Sequence, residues 1–289
     1  MHRMFRTAAV VGVMALALSA LSGCAFLRPV ERFSDETTLT ESIATIEIDQ
    51  PQGEVTVRGD DDATEVSVAR TVSYRGDRPD AAEETHEVNG DVLLLGGCGR
   101  NCKVDYTIEL PSDVDVRGST TNGEIELSDV AEVEVSTTNG RIDLDGVSGR
   151  IDVESSNGRI TGEDLNGDGI RVQTSNGAIE LEVATAQDVE ARTSNGSIEL
   201  TVPSDTYRVT ADTSNGRTDI GVANDSNGRF TLDLHTSNGS IELTVPSDTY
   251  RVTADTSNGR TDIGVANDSN GRFTLDLHTS NGSITVEED

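Results

Sequence analysis

Few side chains in this chain could do chemistry, and they fall into sets with distinct possibilities. Cys24 follows Leu21-Ser22-Gly23 at the end of an apolar run, a setting in which a thiol becomes acylated. Cys98 and Cys102 share the Gly-rich turn Gly96-Gly97-Cys98-Gly99-Arg100-Asn101-Cys102. Outside the cytoplasm two cysteines so close form a disulfide. So small a loop adds only about 2 kcal/mol, so it pins a turn rather than holding a domain. Half of a zinc site is the competing reading, but it needs two more ligands and the nearest histidine is His86. Asp164-Leu165-Asn166-Gly167-Asp168-Gly169 opens like a calcium loop, with Asp164, Asn166 and Asp168 as ligands. Ser175 stands where the bidentate Glu of an EF-hand belongs, so a polar turn is the plainer reading. No cofactor is expected, and Ca2+ is the one ion this turn proposes. No Ser/His/Asp or Cys/His set is recognisable, so there are no candidate catalytic residues and the chain reads as a non-enzyme.

Charge narrows the partners. The formal net charge is −30, with Lys+Arg 22 against Asp+Glu 52. Such a surface repels phosphate backbones, so nucleic acid is excluded as a partner. Aromatics are 3% of the chain and Trp is absent, so Ile, Leu, Val and Thr must fill the core.

The first residues are an address. Met1 to Arg6 is basic, Ala8 to Ala20 is apolar, and Leu21-Ser22-Gly23-Cys24 resembles a bacterial lipobox. The apolar run is too short to span a bilayer as a mature helix. Residues 1–23 are therefore expected to be a lipoprotein signal peptide, with Cys24 as the acylated first mature residue. That lipid anchor is the expected membrane partner, on the extracytoplasmic face of a bacterial cell membrane. Residues 24–42 show no periodicity and read as a flexible tether reaching about 25 Å.

The rest of the chain is organised by a repeat. A Thr/Ser-Thr/Ser-Asn-Gly element begins at residues 120, 137, 155, 174, 193, 213, 236, 256 and 279. Its Asn residues are Asn122, Asn139, Asn157, Asn176, Asn195, Asn215, Asn238, Asn258 and Asn281. Six before each Asn stands Val, Ile or Leu, and three after it stands Ile or Thr. Each repeat is thus two half-buried strands joined at Asn-Gly, where a positive φ suits a tight corner. The same parity suits a hairpin meander, but a meander would leave one long apolar face bare. Coiling lets the two strands cover one another while neighbouring coils supply the hydrogen bonds. The expected fold is therefore all-β: a β-solenoid of 17–23-residue coils, two strands per coil, over residues 119–289. Stacked Asn side chains about 4.8 Å apart would form a ladder. Residues 43–118 read as a β-rich entry or capping region, with a short helix or loop from Asp77 to His86.

Two outward columns carry charge. Four after the Asn stand Glu126, Asp143, Thr161, Glu180, Glu199, Asp219, Glu242, Asp262 and Thr285, whose repulsion is met either by cations between them or, the plainer reading, by Arg141, Arg159, Arg217 and Arg260. Just before the corner, chain order reads Arg192, Asp212, His235, Asp255, His278. Stacking in that order gives each His an Asp neighbour. It also separates the two His by a coil, which makes a shared metal the weaker reading. The far corner varies in length, and its loops or the flat sheet faces are the places for a binding surface. Residues 193–235 recur as 236–278, and the identity runs on so that 193–241 equals 236–284. Inserting whole coils preserves the register above and below.

Ile46-Glu47-Ile48, Gly53-Glu54-Val55-Thr56-Val57, Tyr106-Thr107-Ile108-Glu109-Leu110-Pro111 and the Asn-Gly-x-Ile-x-Leu repeats together resemble the toastrack (DUF4097) β-strand-repeat family of adhesin-like proteins. The resemblance spans residues 43 to 289. It implies a β-solenoid in a bacterial envelope protein, some of whose relatives belong to envelope-stress systems, and it carries over no catalytic residues. The expected function is a lipid-anchored, adhesin-like binding or scaffold module whose partner is a protein or glycan at the cell surface. The alternative is a component of envelope-stress sensing. Weaker readings are a calcium-dependent surface protein and a β-helical polysaccharide-active enzyme.

Overall fold

The computed structural model describes residues 29–205, 207–223 and 228–289. The signal peptide and Cys24 lie outside the described residues. Seven strands come first: β1 (Val30–Leu39), β2 (Thr45–Gln52), β3 (Val55–Gly59), β4 (Val66–Arg75), β5 (His86–Asn89), β6 (Val92–Gly96) and β7 (Cys102–Leu110). Three coils follow: β8 (Asp115–Asn122) with β9 (Ile125–Ser128), β10 (Val133–Asn139) with β11 (Ile142–Asp145), and β12 (Ile151–Asn157) with β13 (Ile160–Leu165). Three more are β14 (Ile170–Asn176) with β15 (Ile179–Val183), β16 (Val189–Asn195) with β17 (Ile198–Val202), and β18 (Tyr207–Asn215) with β19 (Thr218–Val222). The chain ends with β20 (Phe230–Asn238) and β21 (Ile241–Val245), then β22 (Thr249–Asn258), β23 (Thr261–Ile263), β24 (Ala266–Asn267), β25 (Phe273–Asn281) and β26 (Ile284–Glu288).

These strands form two 13-stranded sheets facing each other. From β8 onward the coils pair parallel and in register, apart from one shift between β13 and β15 after Gly162, so Asn122, Asn139, Asn157 and Asn176 lie in one line. The two-strand β-solenoid is therefore the fold, and the meander is excluded because hairpins pair antiparallel. Inward Ile, Leu and Val from both sheets close a continuous core; Ile125, Ile142, Ile160, Ile179 and Ile198 are fully buried. Near the far corner the core carries a file of rings: Tyr207 on Phe230 at 5.8 Å, Phe230 on Phe273 at 4.4 Å, and Phe273 on Tyr250 at 5.3 Å.

The Asn-Gly corner works differently from the expectation of a positive φ. None of the repeat Asn or Gly residues has one. Glycine is required by stacking instead. A Cβ on Gly196 would lie 1.8 Å from the Gly177 carbonyl oxygen, and the same contact recurs from Gly123 to Gly282. The freed space lets the corner Thr hydroxyl donate to the glycine carbonyl of the next coil down, as Thr193 does to Gly177 at 3.0 Å. Each Asn amide donates to the Asn carbonyl one coil below, from Asn139 to Asn122 at 3.0 Å through Asn238 to Asn215 at 3.0 Å.

Residues 43–118 enter the stack through coils of their own. Strands β2 and β3 form a coil in register with β8 and β9, and Gln52 stands in the Asn column beside Asn122. Strands β6 and β7 form another coil outside it. Its corner is the turn in which Cys98 and Cys102 are disulfide-bonded, with Cα atoms 5.5 Å apart. Only the 3-10 turn Asp80–Ala82 occupies the segment read as helix or loop.

The segment read as a flexible tether is ordered from Val30. Strand β1 pairs antiparallel with β4 along its whole length at the edge of the stack. One face, through Phe33, Thr37 and Leu39, is half-buried, with Phe33 and Leu39 against the core, but Asp35 between them breaks the apolar alternation. Its anchor is electrostatic: Arg70, only 8% exposed, donates to both Asp35 carboxylate oxygens, to the Thr85 hydroxyl and to the Glu83 carbonyl. The hydrogen bonds from Arg70 hold the Asp35 carboxyl below its usual range. Burial and then Arg70 depress His86, and burial pushes the Tyr106 hydroxyl up to about 12.

Both ends of the stack depart from chain order. At the start, the β2–β3 coil lies between the β6–β7 coil and the β8–β9 coil. At the finish, the β25–β26 coil inserts between β20–β21 and β22–β23, so β22–β23 is the outermost coil. Its inward Val252, Ala254 and Ile263 are only partly buried. The order can be tested by cross-linking. Thr231 pairs with Thr274 in the observed stack, whereas chain order would set β20 against β22. Neighbouring Cα atoms about 4.8 Å apart suit a disulfide. Thr231→Cys with Thr274→Cys, in a Cys24→Ser chain, is expected to oxidise to an intramolecular bond seen as a mass loss and faster gel migration. Thr231→Cys with Arg251→Cys is expected to stay reduced.

Candidate functional site

The repeat places every third and first residue before the Asn on the outer face of the β8–β24 sheet. Stacking turns these positions into columns. From β14 to β22 the columns bound a shallow groove of about 830 Å³ beside the near corner. One wall is the serine column Ser194, Ser214, Ser237, Ser280 and Ser257; the other is Arg192, Asp212, His235, His278 and Asp255. The corner Thr side chains between them are bonded to the glycine ladder, buried except for the half-buried Thr256 of the outermost coil, so they shape the floor rather than offering hydroxyls. Lower on the same sheet a second groove, of about 600 Å³, is lined by Glu47, Asp49, Arg117, Glu134, Asp152, Glu154 and Arg171.

The charged column is knitted by contacts between coils. Arg192 donates to Asp212 at 3.0 Å and also pairs with Glu190, which raises its pKa above the ordinary guanidinium value. His235 Nδ1 lies 3.7 Å from Asp212 and 3.2 Å from Asp233. His278 Nε2 lies 2.7 Å from Asp276, and its Nδ1 lies 3.8 Å from Asp255. The exchange of the last coils sets the two imidazoles directly against each other, with ring centroids 5.0 Å apart. Each His still has an Asp beside it in the column, but no coil stands between them. The Asp-Leu-His sequence on β20 and again on β25 signalled the Asp233 and Asp276 contacts, and reading the single column alone missed them.

The opposite sheet carries the acidic column, and arginines bridge it. Arg141 pairs with Glu124 and Asp143, Arg159 with Glu180 at 2.9 Å, and Arg217 with Asp219 and Glu242 at 2.5 and 2.7 Å. Glu54, Glu124 and Glu126 bring carboxylate oxygens within 4.8 Å of one another, yet Arg58 holds Glu126 and Arg141 holds Glu124. Being exposed, these pairs add little stability and mainly disperse like charge.

Asp164, Asn166 and Asp168 are exposed on the far corner. Asp164 has φ +49°, and the Asn166 amide donates back to the Asp164 carbonyl at 2.8 Å, the bond of a polar turn. Elsewhere on the far side, Asp60, Asp61, Asp113 and Asp129 border a hollow of about 390 Å³. Among the described residues, the grooves of about 830 and 600 Å³ lie on the flat sheet face.

The family model Toastrack DUF4097 matches residues 43–287. No curated protein matches. Among solved structures, a "putative adhesin" of Bacteroides fragilis is similar at 13% identity and TM-score 0.40, over 90% of this chain and 97% of that one. A "putative adhesin" of Parabacteroides merdae shares 12% identity at TM-score 0.35, over 90% and 96%. A "putative cell adhesion protein" of Clostridium sporogenes shares 11% identity at TM-score 0.21, over 90% and 100%. Scores this low carry no argument, whereas the family match spans nearly every strand described above. The chain belongs to the toastrack DUF4097 family.

Proposed function

We propose that this protein is a bacterial envelope lipoprotein whose solenoid is a non-enzymatic, adhesin-like binding rod, tied to the extracytoplasmic membrane face through Cys24. The observation that carries the binding role is the open groove of about 830 Å³ with its parallel serine and charged columns. A rigid, shallow, polar trough suits an extended polar chain, a glycan or a peptide strand, laid along the stack. The ladders hold the trough in shape, so little ordering entropy opposes binding. Two measurements test the reading. Metabolic acyl labelling should tag the wild type and spare Cys24→Ser, which should leave the membrane fraction; an unlabelled wild type removes the anchor. Glycan and peptide arrays probed with the intact protein and with Ser214→Arg/Ser237→Arg should show ligands lost in the variant. Ligands bound equally by both would place recognition elsewhere. A signalling membrane protein as the captured ligand would move the reading to envelope-stress sensing.

A further inference from the structure

The contact between His235 and His278 exists only because the last coil tucks in beside β20, and its chemistry is that of a metal site. Both residues point outward in register, and so do Asp233 and Asp276 two residues earlier on the same strands. The result is a square of two imidazoles and two carboxylates on neighbouring parallel strands. The rings are stacked at 5.0 Å and 21°. They are opposite flips of one arrangement, for His235 turns Nδ1 and His278 turns Nε2 to its own Asp. Asp233 Oδ1 is shielded from solvent and accepts no hydrogen bond among the described residues, although it faces His235 at 3.2 Å. Asp212 and Asp255 close the column on either side, and the one guanidinium of the column, on Arg192, is already held by Asp212 and Glu190.

We propose that His235, His278, Asp233 and Asp276 form a binding site for one divalent transition metal ion of the zinc, nickel and copper class. Imidazole nitrogen selects these ions over calcium and magnesium. A tetrahedral ion with nitrogens at about 2.0–2.1 Å holds two of them about 3.3 Å apart. Adjacent strands about 4.8 Å apart bring the rings within that reach by side-chain rotation alone. The carboxylates complete the set and balance the ion's charge. The site is a product of the duplication: a single copy of the segment carries one Asp-Leu-His, and two copies make the square. A stack in chain order would put the two histidines about 9.6 Å apart, with the Asp255 coil between them.

Isothermal titration of the full chain with Zn2+ and with Ni2+ tests this, using Cys24→Ser in every arm to remove its thiol. One ion per chain is expected. His235→Gln and His278→Gln should each weaken binding by about tenfold or more, and Asp276→Asn should weaken it as well. Asp164→Asn should leave it unchanged. Because all these side chains point outward, circular dichroism and melting should stay close to the parent in each arm. In His-selective NMR, one equivalent of Zn2+ should shift both imidazoles together. Absence of stoichiometric binding, or binding indifferent to both His substitutions, overturns the proposal. So does binding lost with Asp164→Asn.

Discussion

Gly196→Ala is expected to collapse the stability of the stack, whereas Gly221→Ala should be close to silent. Both glycines sit in the repeats and both changes add one methyl group. At Gly196 the new Cβ falls 1.8 Å from the Gly177 carbonyl oxygen and 2.5 Å from its carbon. Those are backbone atoms, and they are fixed by inter-coil bonds such as Gly196 N to Asn215 O and Gly177 N to Asn195 O, each 3.1 Å. The coils could make room only by parting, which would break those bonds and the Asn and Thr ladders beside them. A loss of at least about 3 kcal/mol is expected, enough to abolish folding in a marginal protein. At Gly221 nothing lies within 4 Å of the added Cβ, and its φ is not of the left-handed kind. Reduced freedom of the unfolded chain should then leave stability unchanged or raised by up to about 1 kcal/mol. Urea denaturation of both variants gives the comparison. Equal midpoints would mean that glycine is not what permits the coils to approach.

Removing residues 236–278 should leave a shorter rod that still unfolds in one transition, while removing 236–265 should not. The first deletion joins His235 to Thr279 and rebuilds the corner as Thr279-Ser280-Asn281-Gly282, the sequence that follows His235 in the parent. Strand β26 then faces β20 in place of β21, with Ile284 and Val286 where Ile241 and Leu243 stood. Two whole coils vanish, about 10 Å of length by small-angle scattering. The second deletion joins His235 to Ala266 and removes β21 together with the near corner. Strand β20 keeps its neighbour β18 but loses the strand that faces it. Phe230, Leu232 and Leu234, at most 2% exposed in the parent, would then lack a covering layer. Exposing such side chains costs about 1.5–3 kcal/mol each, so a melt lowered by well over ten degrees or a broad transition is expected. If both deletions melt alike, coils are not the units of stability.

The local design of this protein is written in single residues. The Val, Ile or Leu six before each Asn and the Ile or Thr three after it state which way every strand faces, because a strand's side-chain period is two. Asn-Gly marks the corner, and a recurrence of 17–23 residues demands stacking, because neither strand of a coil can bury its apolar face alone. Coil, core and ladder positions were therefore legible without coordinates. Three things were not. Strand β1 half-buries only Phe33, Thr37 and Leu39 and carries Asp35 between them, so no apolar alternation announces it; the distant Arg70 and the edge of β4 place it. The reason for glycine at the corner lies in an adjacent coil about 20 residues away, so no local reading of φ finds it. Above all, the order of the last coils was open to more than one answer. Residues 230–238 and 273–281 are identical, and inter-coil bonds join backbone to backbone, so one strand's edge accepts either copy. Tertiary packing alone sets β25 beside β20, and with it His278 beside His235. The residues of the proposed metal site were plain in the sequence, but the contact that joins them belongs to the assembled stack.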